Sequence, residues 1–433
     1  MDETLLLPEV KQHYEALPYP PRNPNDEKNR LVKTTGDNLD KLNHYCFNGK
    51  RDFSSGFRCL VAGGGTGDAV IYLAEQLRYC NGEVVYLDMS EASRAVAEKR
   101  AAIRGLTNIT WVTASLLELP SLGLGKFDYI NCSGVLHHLE STEQGLQALV
   151  DVLQDDGAIF LMLYGRYGRT TVYEMQALLR EYLPASADIP EKIEMARKLL
   201  DHLPKFNNFK RDLDAGLWGH EMSDDGYGDE GLYDLLLHSR DRCFDVQELY
   251  QLIEPTGMFL ADFVGRDRRF YDPCNLVSDV QVQRRFKQMK KRQQQSVAEK
   301  LCGQFKKHEF YLTRKKNSRS TLNDMDNVML LVDEMEGQHK ILSESMMPPK
   351  PITVTYKVKR YEEKINIKGT AITKQLFFYM DGKTPLNRIF KRIKKLIPGT
   401  KTSEIKQELS DVFEVFSSRG WLYLRHSGVK KRE

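Results

Sequence analysis

The sequence predicts an α/β protein with a doubly wound, mostly parallel sheet. A short apolar run, Cys59–Ala62, stops at four glycines within five residues, and helical spacing resumes from Asp68. From there to about residue 165 the chain repeats strand, helix and strand, with apolar runs of the length that buried strands have. Such alternation favours a parallel sheet that is covered by helices on both faces.

The glycine turn that follows the first strand is suited to hold a polar ligand. Glycine lets the backbone approach a ligand closely, and the first N–H groups of the next helix carry positive partial charge. Gly63, Gly65 and Gly67 are spaced i, i+2 and i+4. A dinucleotide fingerprint needs i, i+2 and i+5, and Asp68 stands at that last position. The spacing therefore disfavours a nicotinamide cofactor.

The second and third strands place polar residues at the same edge of the predicted sheet. The second strand, Glu83–Leu87, ends at Asp88, about twenty residues after the turn, where a carboxylate can accept ribose hydroxyls. The alternative role for Asp88 is to cap the following helix. The third strand, Asn108–Val112, leads into a turn that contains Ser115 and Leu116.

The fourth strand and its exit complete the pattern. Residues 126–139 contain the run Phe-Asp-Tyr-Ile and end in a His-His pair, and the fifth strand covers residues 157–164. Ligands of doubly wound sheets bind at the carboxyl ends of the strands beside the switch point. We therefore expect Asn131 and Cys132 to lie near the ligand.

Taken together, residues 58–164 resemble the class I S-adenosylmethionine-dependent methyltransferases. The resemblance implies a seven-stranded Rossmann-like sheet and S-adenosylmethionine as cofactor. It also implies a set of cofactor-binding residues: Ala62, Gly63, Gly64, Gly65, Gly67, Asp68, Asp88, Met89, Ser115, Leu116, Asn131 and Cys132. Two positions depart from the family pattern, because Val61 and Ser115 stand where acidic residues are usual. We expect Asp68 to replace the acid that is missing at position 61.

The reaction of this family displaces a methyl group from a sulfonium in line with an attacking nucleophile. The protein mostly positions and desolvates the reactants, and a base is needed only if the nucleophile arrives protonated. His137, His138 and Tyr164 are the catalytic candidates, with Tyr167 beside them. The other interpretation of the two histidines is structural, at the start of a helix.

The rest of the chain divides around this domain. We predict a helical lid at residues 1–50, with Asn43–Phe47 as the part that closes over the ligand. The methyltransferase domain would cover 51–316 and contain a helical insertion at 166–243. A linker at 317–330 would precede a winged-helix-like domain at 331–433, which suits docking or oligomerisation. Its elements would be helices at 371–380, 386–397 and 403–418, followed by a strand at 420–424.

Three details belong to the last part of the methyltransferase domain. Asp245 is placed to cap a helix that leads to a sixth strand at 258–264. A seventh strand, Glu309–Thr313, would run antiparallel to the others. Between these strands, basic residues cluster at 284–307; they form either a solvated helix face or a surface for RNA.

The composition of the chain limits the classes of protein to which it can belong. The 433 residues are 41% hydrophobic and 28% charged, with a formal net charge of +3, which is ordinary for a globular protein of several domains. Seven scattered cysteines without a Cys-x-x-Cys pair indicate reduced thiols and no zinc site. The Leu5–Leu7 run is too short for a secretory signal, and no apolar run approaches 18 residues, so we expect a cytoplasmic protein that does not enter a membrane.

We therefore expect an S-adenosylmethionine-dependent methyltransferase. The order of the domains is similar to that of bacterial-type protein-lysine methyltransferases with a regulatory domain. This resemblance favours a protein acceptor, with a small molecule or RNA as alternatives. The rival hypothesis is a methyltransferase fold that has lost catalysis and serves as a binding or regulatory protein, which the departures at Val61 and Ser115 would explain.

Overall fold

The computed structural model describes residues 8–265, 268–346, 352–358 and 361–429, and the chain forms two compact units. The first unit comprises residues 8–37, 53–263 and 270–315, and the second comprises 38–52, 264–269 and the chain from 316. The predicted ranges 1–50 and 331–433 include residues outside the described part, and the Leu5–Leu7 run lies there too. Among the described residues, no helix combines the length and apolar character that crossing a bilayer requires.

The first unit is built on a seven-stranded sheet in the described residues. Numbered along the chain, its strands are β1 (Arg58–Ala62), β2 (Glu83–Asp88), β3 (Ile109–Thr113), β4 (Phe127–Ser133), β5 (Leu153–Tyr164), β6 (Phe259–Phe263) and β7 (Lys307–Thr313). Their order across the sheet is β3-β2-β1-β4-β5-β7-β6. Strand β7 is antiparallel to β5 and β6, and the other pairs are parallel. The predicted doubly wound, mostly parallel sheet with an antiparallel seventh strand is confirmed.

Helices connect these strands. Up to residue 302 they are α1 (Pro8–Ala16), α2 (Leu39–Cys46), α3 (Asp68–Gln76), α4 (Glu91–Arg104), α5 (Thr142–Asp151), α6 (Thr170–Tyr182), α7 (Ile189–Asp201), α8 (Asn208–Asp214), α9 (Gly219–Met222), α10 (Gly228–Leu232), α11 (Val246–Ile253), α12 (Val280–Lys287) and α13 (Lys291–Cys302). Helix α2 belongs to the second unit and the others to the first.

Side-chain caps fix where the helices begin. The Asp245 carboxylate accepts the backbone N–H of Glu248, and the Glu248 side chain accepts that of Asp245, so this capping box starts α11 as predicted. Ser90 caps α4, which begins directly after β2. These caps satisfy N–H groups that a helix leaves unpaired at its first turn.

The core of the first unit lies between the sheet and its helices. The central strands are apolar on both faces, as parallel strands covered by helices are. Leu60, Ile130 and Ile159 have no exposed surface, and they pack with Leu149 of α5 and Leu249 of α11 in one cluster. This packing fixes the carboxyl ends of β1, β2 and β4 relative to one another.

The predicted insertion after β5 is helical, and it has a small core of its own. Helices α6–α10 follow one another between residues 170 and 232, and a single π-helical turn covers Tyr233–Leu237. Val172, Leu179, Phe209, Trp218 and Leu232 are buried together. The acidic run at 219–231, which looks like a polar loop in the sequence, is folded into α9 and α10.

The second unit is a separate α/β assembly. Its elements after residue 316 are β8 (Asn327–Leu331), α14 (His339–Ser345), β9 (Ile352–Val358), β10 (Tyr361–Ile367), α15 (Ala371–Phe378), β11 (Asp381–Pro385), α16 (Leu386–Leu396), α17 (Thr402–Ser418) and β12 (Leu422–His426). Strands β11 and β12 both pair antiparallel with β8, and β9 pairs with β10 in a hairpin.

The predicted linker at 317–330 needs correction, because its last residues form the buried strand β8. This strand is the middle one of a three-stranded sheet, and the packing of its apolar side chains accounts for the strand. The three predicted helices and the terminal strand are present as α15, α16, α17 and β12. A winged-helix assignment for this unit remains a prediction.

Candidate active site

A cavity of about 550 Å³ opens at the carboxyl edge of the sheet. It lies where the strand order reverses, between β1 and β4, which is the place where doubly wound sheets bind ligands. All of its walls come from the first unit: the chain before residue 37, the glycine turn, the ends of β1, β2, β4 and β5, and the helical insertion.

The glycine turn forms one wall. The backbone N–H groups of Gly63 and Gly64 both donate to the carbonyl of Leu87, which ties the turn to β2. Gly65 has φ +50°, and a Cβ at this position would stand 2.8 Å from the carbonyl oxygen of Tyr19. A side chain here would fill the cradle, so the position requires glycine.

Gly67 has a different task from the other three glycines. Its φ is +104°, and it begins α3, where a Cβ would stand 2.8 Å from that of Ala97 in α4. Gly63, Gly64 and Gly65 line the cavity, whereas Gly67 is not part of the lining. Gly67 serves the close packing of two helices, and its contact with the cofactor stays a prediction.

Asp88 ends β2 at the rim of the cavity, with Met89 beside it. Its carboxylate accepts the N–H of Gly65 at 2.7 Å and that of Ser90 at 2.9 Å. Burial raises the pKa of Asp88, and the backbone hydrogen bonds oppose this rise. The carboxylate thus shapes the glycine turn, and its remaining lone pairs can accept ligand hydroxyls.

Two further predicted residues line the cavity at the ends of β3 and β4. Ser115 caps a short 3₁₀ helix in a capping box with Glu118, and Leu116 follows it. The Asn131 side chain donates to both carboxylate oxygens of Asp37, at 2.7 and 2.9 Å. The amide of Asn131 is therefore held in one orientation, with its oxygen left as an acceptor.

The predicted cofactor contacts of Ala62 and Cys132 stay predictions, because the structure places both side chains away from the cavity. Neither side chain lines the cavity, and both belong to the buried core cluster. Successive side chains of a strand point to opposite faces, so Asn131 and Ser133 face the cavity while Cys132 faces the core. Ala62 is likewise in the core, between Val61 and Gly63, which line the cavity.

The chain before residue 37 covers the glycine turn. Tyr14, Tyr19, Pro20, Arg22 and Thr34 line the cavity. The predicted lid residues, 43–47, lie in or next to α2 of the second unit, and the segment that closes this wall is 14–34 instead. This segment falls within the lid predicted at 1–50, but its Leu-Pro-Tyr-Pro-Pro run has no periodicity and looks like a linker, so the closing part was predicted at 43–47.

A cluster of charged side chains holds the segment 14–34 against the start of α3. Arg22 reaches Asp68 with N···O distances of 2.6 and 2.9 Å, and Arg100 reaches the same carboxylate at 2.8 Å. Burial alone would raise the pKa of Asp68, but the two arginines outweigh burial and hold it below its usual value. Asp68 lines the cavity and both of its oxygens bind arginine, so its contact with the ligand stays a prediction.

The opposite end of the cavity is aromatic and acidic. The hydroxyl of Tyr14 donates to Asp234 at 3.1 Å, and the hydroxyl of Tyr164 lies 3.4 Å from the other oxygen of that carboxylate. Tyr19, Trp218 and Asp234 also line this end. Burial raises the pKa of Asp234, and burial raises that of Tyr164 well above its usual value. Asp234 lies in the π-helical turn, and no sequence signal pointed to it.

The structure separates the two predicted histidines. His138 lines the cavity, and its Nδ1 lies 2.8 Å from the carbonyl oxygen of Arg240. His137 does not line the cavity and stacks on Tyr164 at 3.9 Å between ring centres. Burial lowers the pKa of His137 well below its usual value, so it stays neutral. His138 and Tyr164 therefore lie at the cavity and His137 lies outside its lining, and the catalytic roles of all three stay predictions.

Tyr167, named beside them, is also outside the cavity lining. Its ring lies beneath the ammonium group of Lys300, 5.4 Å away. Arg169, from the same loop, does reach the cavity and stacks on the Tyr164 ring at 3.6 Å.

Comparison with known proteins agrees with this geometry. Residues 60–159 match a family model described as a methyltransferase domain. An uncharacterized protein of a Synechococcus strain is 30% identical over 277 residues, which are 63% of this chain and 64% of that relative. The aligned part is thus slightly less than two thirds of the relative's own length.

Two solved structures share the fold over most of the chain. PKMT2 from Rickettsia typhi, solved in complex with AdoHcy, superimposes with a TM-score of 0.63 at 15% identity, over 91% of this chain and 76% of that protein. Its structure without that ligand gives a TM-score of 0.59 at 14% identity. At this level of identity the likeness shows a common fold.

Proposed function

Because this chain carries a class I S-adenosylmethionine-dependent methyltransferase domain, we propose that it transfers the methyl group of S-adenosylmethionine to an amine, the lysine side chain of a protein. The observation that carries the proposal is one cavity with two unlike ends. One end has the glycine cradle and the Asp88 carboxylate, and the other has aromatic side chains around a buried carboxylate.

The residues at the first end fit the nucleoside thioether of the cofactor. Gly63, Gly64 and Gly65 line the cavity with bare backbone, because a Cβ at these positions would collide with neighbouring protein atoms. Asp88 offers acceptor oxygens for ribose hydroxyls, and Ser115 with Leu116 offers a polar and an apolar contact for a base. When bound, S-adenosylmethionine supplies a methyl group that its sulfonium makes electrophilic.

The other end suits a cationic acceptor. Tyr14 and Tyr19 present aromatic surface, which attracts alkylammonium groups, and Asp234 adds a buried carboxylate beside them. A long apolar stem with a charged tip, such as lysine, could pass between these rings. The rings of Tyr164 and Trp218 already carry cations of the protein itself, Arg169 and Lys306. The resemblance of the domain order to protein-lysine methyltransferases supports a protein as the carrier of this amine.

The protein would contribute to such a transfer by positioning the two reactants and by excluding water from the site. Arg22 and Asp68 hold the covering segment over the glycine turn, and the aromatic walls exclude water from the acceptor end. Holding the amine close to the methyl group lowers the entropic part of the barrier. Removing water from the nucleophile strengthens its electrostatic interaction with the nearby carboxylate.

The test is to incubate the protein with tritiated S-adenosylmethionine and a fractionated, heat-treated cell lysate. We expect label in protein, and acid hydrolysis should release it as methylated lysine. Label in RNA, in small molecules or in another amino acid would contradict the proposed acceptor. Tight AdoHcy binding without label in any fraction would instead favour the rival hypothesis of a binding protein without catalysis.

A matched pair of variants connects the label to the cavity. Asp234→Asn keeps the size of the side chain and removes its charge, whereas Asp201→Asn makes the same change on the exposed end of α7. We expect the first variant to lose most of the label and the second to retain it. Equal labelling by both variants would contradict the role of the acidic end.

A further inference from the structure

The backbone of one residue, Arg240, contacts two histidines beside the acceptor end through its N–H and its carbonyl. The carbonyl oxygen of Arg240 lies 2.8 Å from Nδ1 of His138, and the backbone N–H of the same residue lies 3.0 Å from Nδ1 of His238. The two imidazole rings stack with centres 3.9 Å apart. Both side chains are almost completely buried.

These contacts assign opposite tautomers to the two rings. A carbonyl oxygen only accepts, so His138 must donate from Nδ1 and its Nε2 keeps a lone pair. A backbone N–H only donates, so His238 must accept at Nδ1 and carries its proton on Nε2. In the described part of the chain, Nε2 of His138 has no hydrogen-bond partner, and the side chain lines the cavity.

We infer that His138 is the general base of this site, and that Arg240 acts through its backbone carbonyl to hold the basic nitrogen toward the acceptor. The inference rests on the proposed function, since only an amine that arrives protonated needs a base. Lysine is such an amine, because its ordinary pKa is about 10.4.

The proton and electron pairs balance as follows. An N–H bond of the substrate ammonium breaks, its proton bonds to Nε2 of His138, and the electron pair stays on the amine nitrogen. That pair forms the bond to the methyl carbon as the S–C bond breaks toward sulfur. The products are a methylated ammonium, the thioether and an imidazolium, which returns its proton to water.

The electrostatic surroundings allow this exchange. Burial lowers the pKa of His138, so the ring is neutral near pH 7 and its Nε2 keeps a lone pair. Asp234 and Asp241 raise that pKa again, and Arg169 lowers it. The other titratable groups around the ring are Tyr14, Tyr164, His13, His137 and His238.

A metal ion is the competing occupant of this cluster. His138, Asp234 and His238 each offer one ligand atom, and these atoms lie within 4.8 Å of one another. A metal ligand normally donates its other ring N–H to a carbonyl or carboxylate, as His138 does. His238 does the reverse, because the Arg240 N–H points at its Nδ1. Binding through Nε2 would leave two donors facing each other or require an imidazolate, which disfavours the metal.

The first experiment reads the tautomer in the free protein. In a sample with ¹⁵N-labelled histidine, the His138 signals are assigned by comparison with the variant His138→Asn. We expect a protonated Nδ1 and an unprotonated Nε2 at pH 7.5. A proton on Nε2 at this pH would overturn the inference without any measurement of activity.

The second experiment measures the pH profile of methyl transfer to heat-treated lysate protein. His138→Asn keeps an N–H donor for the Arg240 carbonyl and removes the base. We expect its rate to fall at least about 100-fold at pH 7.5, the usual size of general-base effects, and to recover toward pH 10, where the amine loses its proton unaided. The affinity for AdoHcy should change less than about twofold.

A matched control is available in the chain. His202 is exposed on the end of α7, and its Nδ1 also lies 2.8 Å from a backbone carbonyl, that of Lys198. His202→Asn should leave the rate and the pH profile unchanged. A wild-type profile in His138→Asn, or activity that chelators remove and Zn²⁺ or Fe²⁺ restores, would overturn the inference. No label with the wild-type protein at any pH would contradict the proposed function itself.

Discussion

At the scale of single residues, Asp88 carries the largest share of the expected cofactor affinity. Its carboxylate positions the Gly65 N–H and offers acceptors to two ribose hydroxyls. Charge-assisted hydrogen bonds of this kind are worth about 1.5–3 kcal/mol each. We expect Asp88→Ala to weaken AdoHcy binding, measured by calorimetry, by roughly tenfold or more. Asp201→Ala is the control, and unchanged affinity in Asp88→Ala would contradict the assignment.

The buried carboxylate of Asp234 leads to a prediction about how KM for the acceptor depends on pH. The carboxylate attracts a cationic acceptor only when ionised, and burial raises its pKa above the ordinary value of about 3.9. As the pH falls through that raised pKa, the charge is lost and KM for the acceptor should rise, while KM for S-adenosylmethionine stays constant. In Asp234→Asn the acceptor KM should be high at every pH. A variant that keeps the wild-type pH dependence of KM would refute this role.

Some of these residues could be predicted from the sequence and others could not, for a physical reason. Asp88 and Asn131 lie near the carboxyl ends of β2 and β4, and Ser115 follows β3, so the rule about carboxyl ends of strands places them in one cleft. That rule does not distinguish Cys132 from its neighbours, although the alternation of side chains along a strand turns Cys132 toward the core. Tyr14 and Asp234 are 220 residues apart in the chain, and no local pattern connects them.

At the scale of elements, the segment from Tyr19 to Arg22 controls access to the glycine turn. Arg22 is its main anchor, since it reaches both oxygens of Asp68. We expect Arg22→Ala to increase the dissociation rate of AdoHcy several-fold in stopped-flow measurements, with Arg22→Lys restoring part of the effect. The control is Lys198→Ala, which removes an exposed ion pair of the kind that contributes little. Identical dissociation rates would show that the segment does not retain the ligand.

The ion pair between Arg22 and Asp68 should form only within a defined pH range. The pKa of Asp68 is lower in the folded protein than its ordinary value of about 3.9. A carboxyl group with a lowered pKa stabilises the folded state above its unfolded pKa, and this contribution is lost as the pH falls through the folded value. The anchor should therefore stay constant from pH 5 to neutral pH and weaken only in stronger acid.

At the same scale, the sequence indicated β1–β7 and β12, but not β8–β11, and it did not show which unit each element joins. Apolar runs and caps such as Asp245 are local signals, and they located β1–β7 and α11. Strand β8 was mistaken for linker because its neighbours in the sheet, β11 and β12, lie about 50 and 95 residues later. Pairing over such distances leaves no mark on the composition of the strand itself.

At the scale of the whole molecule, each of the two units has its own main hydrophobic core, and this predicts two regions of separate stability. Leu60 is fully buried in the core of the first unit, and Trp421 is 98% buried in that of the second. Replacing either residue by alanine creates a cavity, at a cost of about 2–5 kcal/mol for leucine and about 3–5 kcal/mol for tryptophan. Local opening follows the stability of each cooperative region.

Hydrogen exchange followed by mass spectrometry on the full-length chain can compare these two variants. We expect Leu60→Ala to raise amide exchange mainly in β1, β2 and β4, and Trp421→Ala to raise it mainly in β8, β12 and α17. AdoHcy should then slow exchange in the first unit of Trp421→Ala as it does in the wild type, because the whole cavity lining comes from that unit. If Trp421→Ala instead abolished AdoHcy binding, the site would depend on the second core, and the cavity described above could not by itself be the complete binding unit.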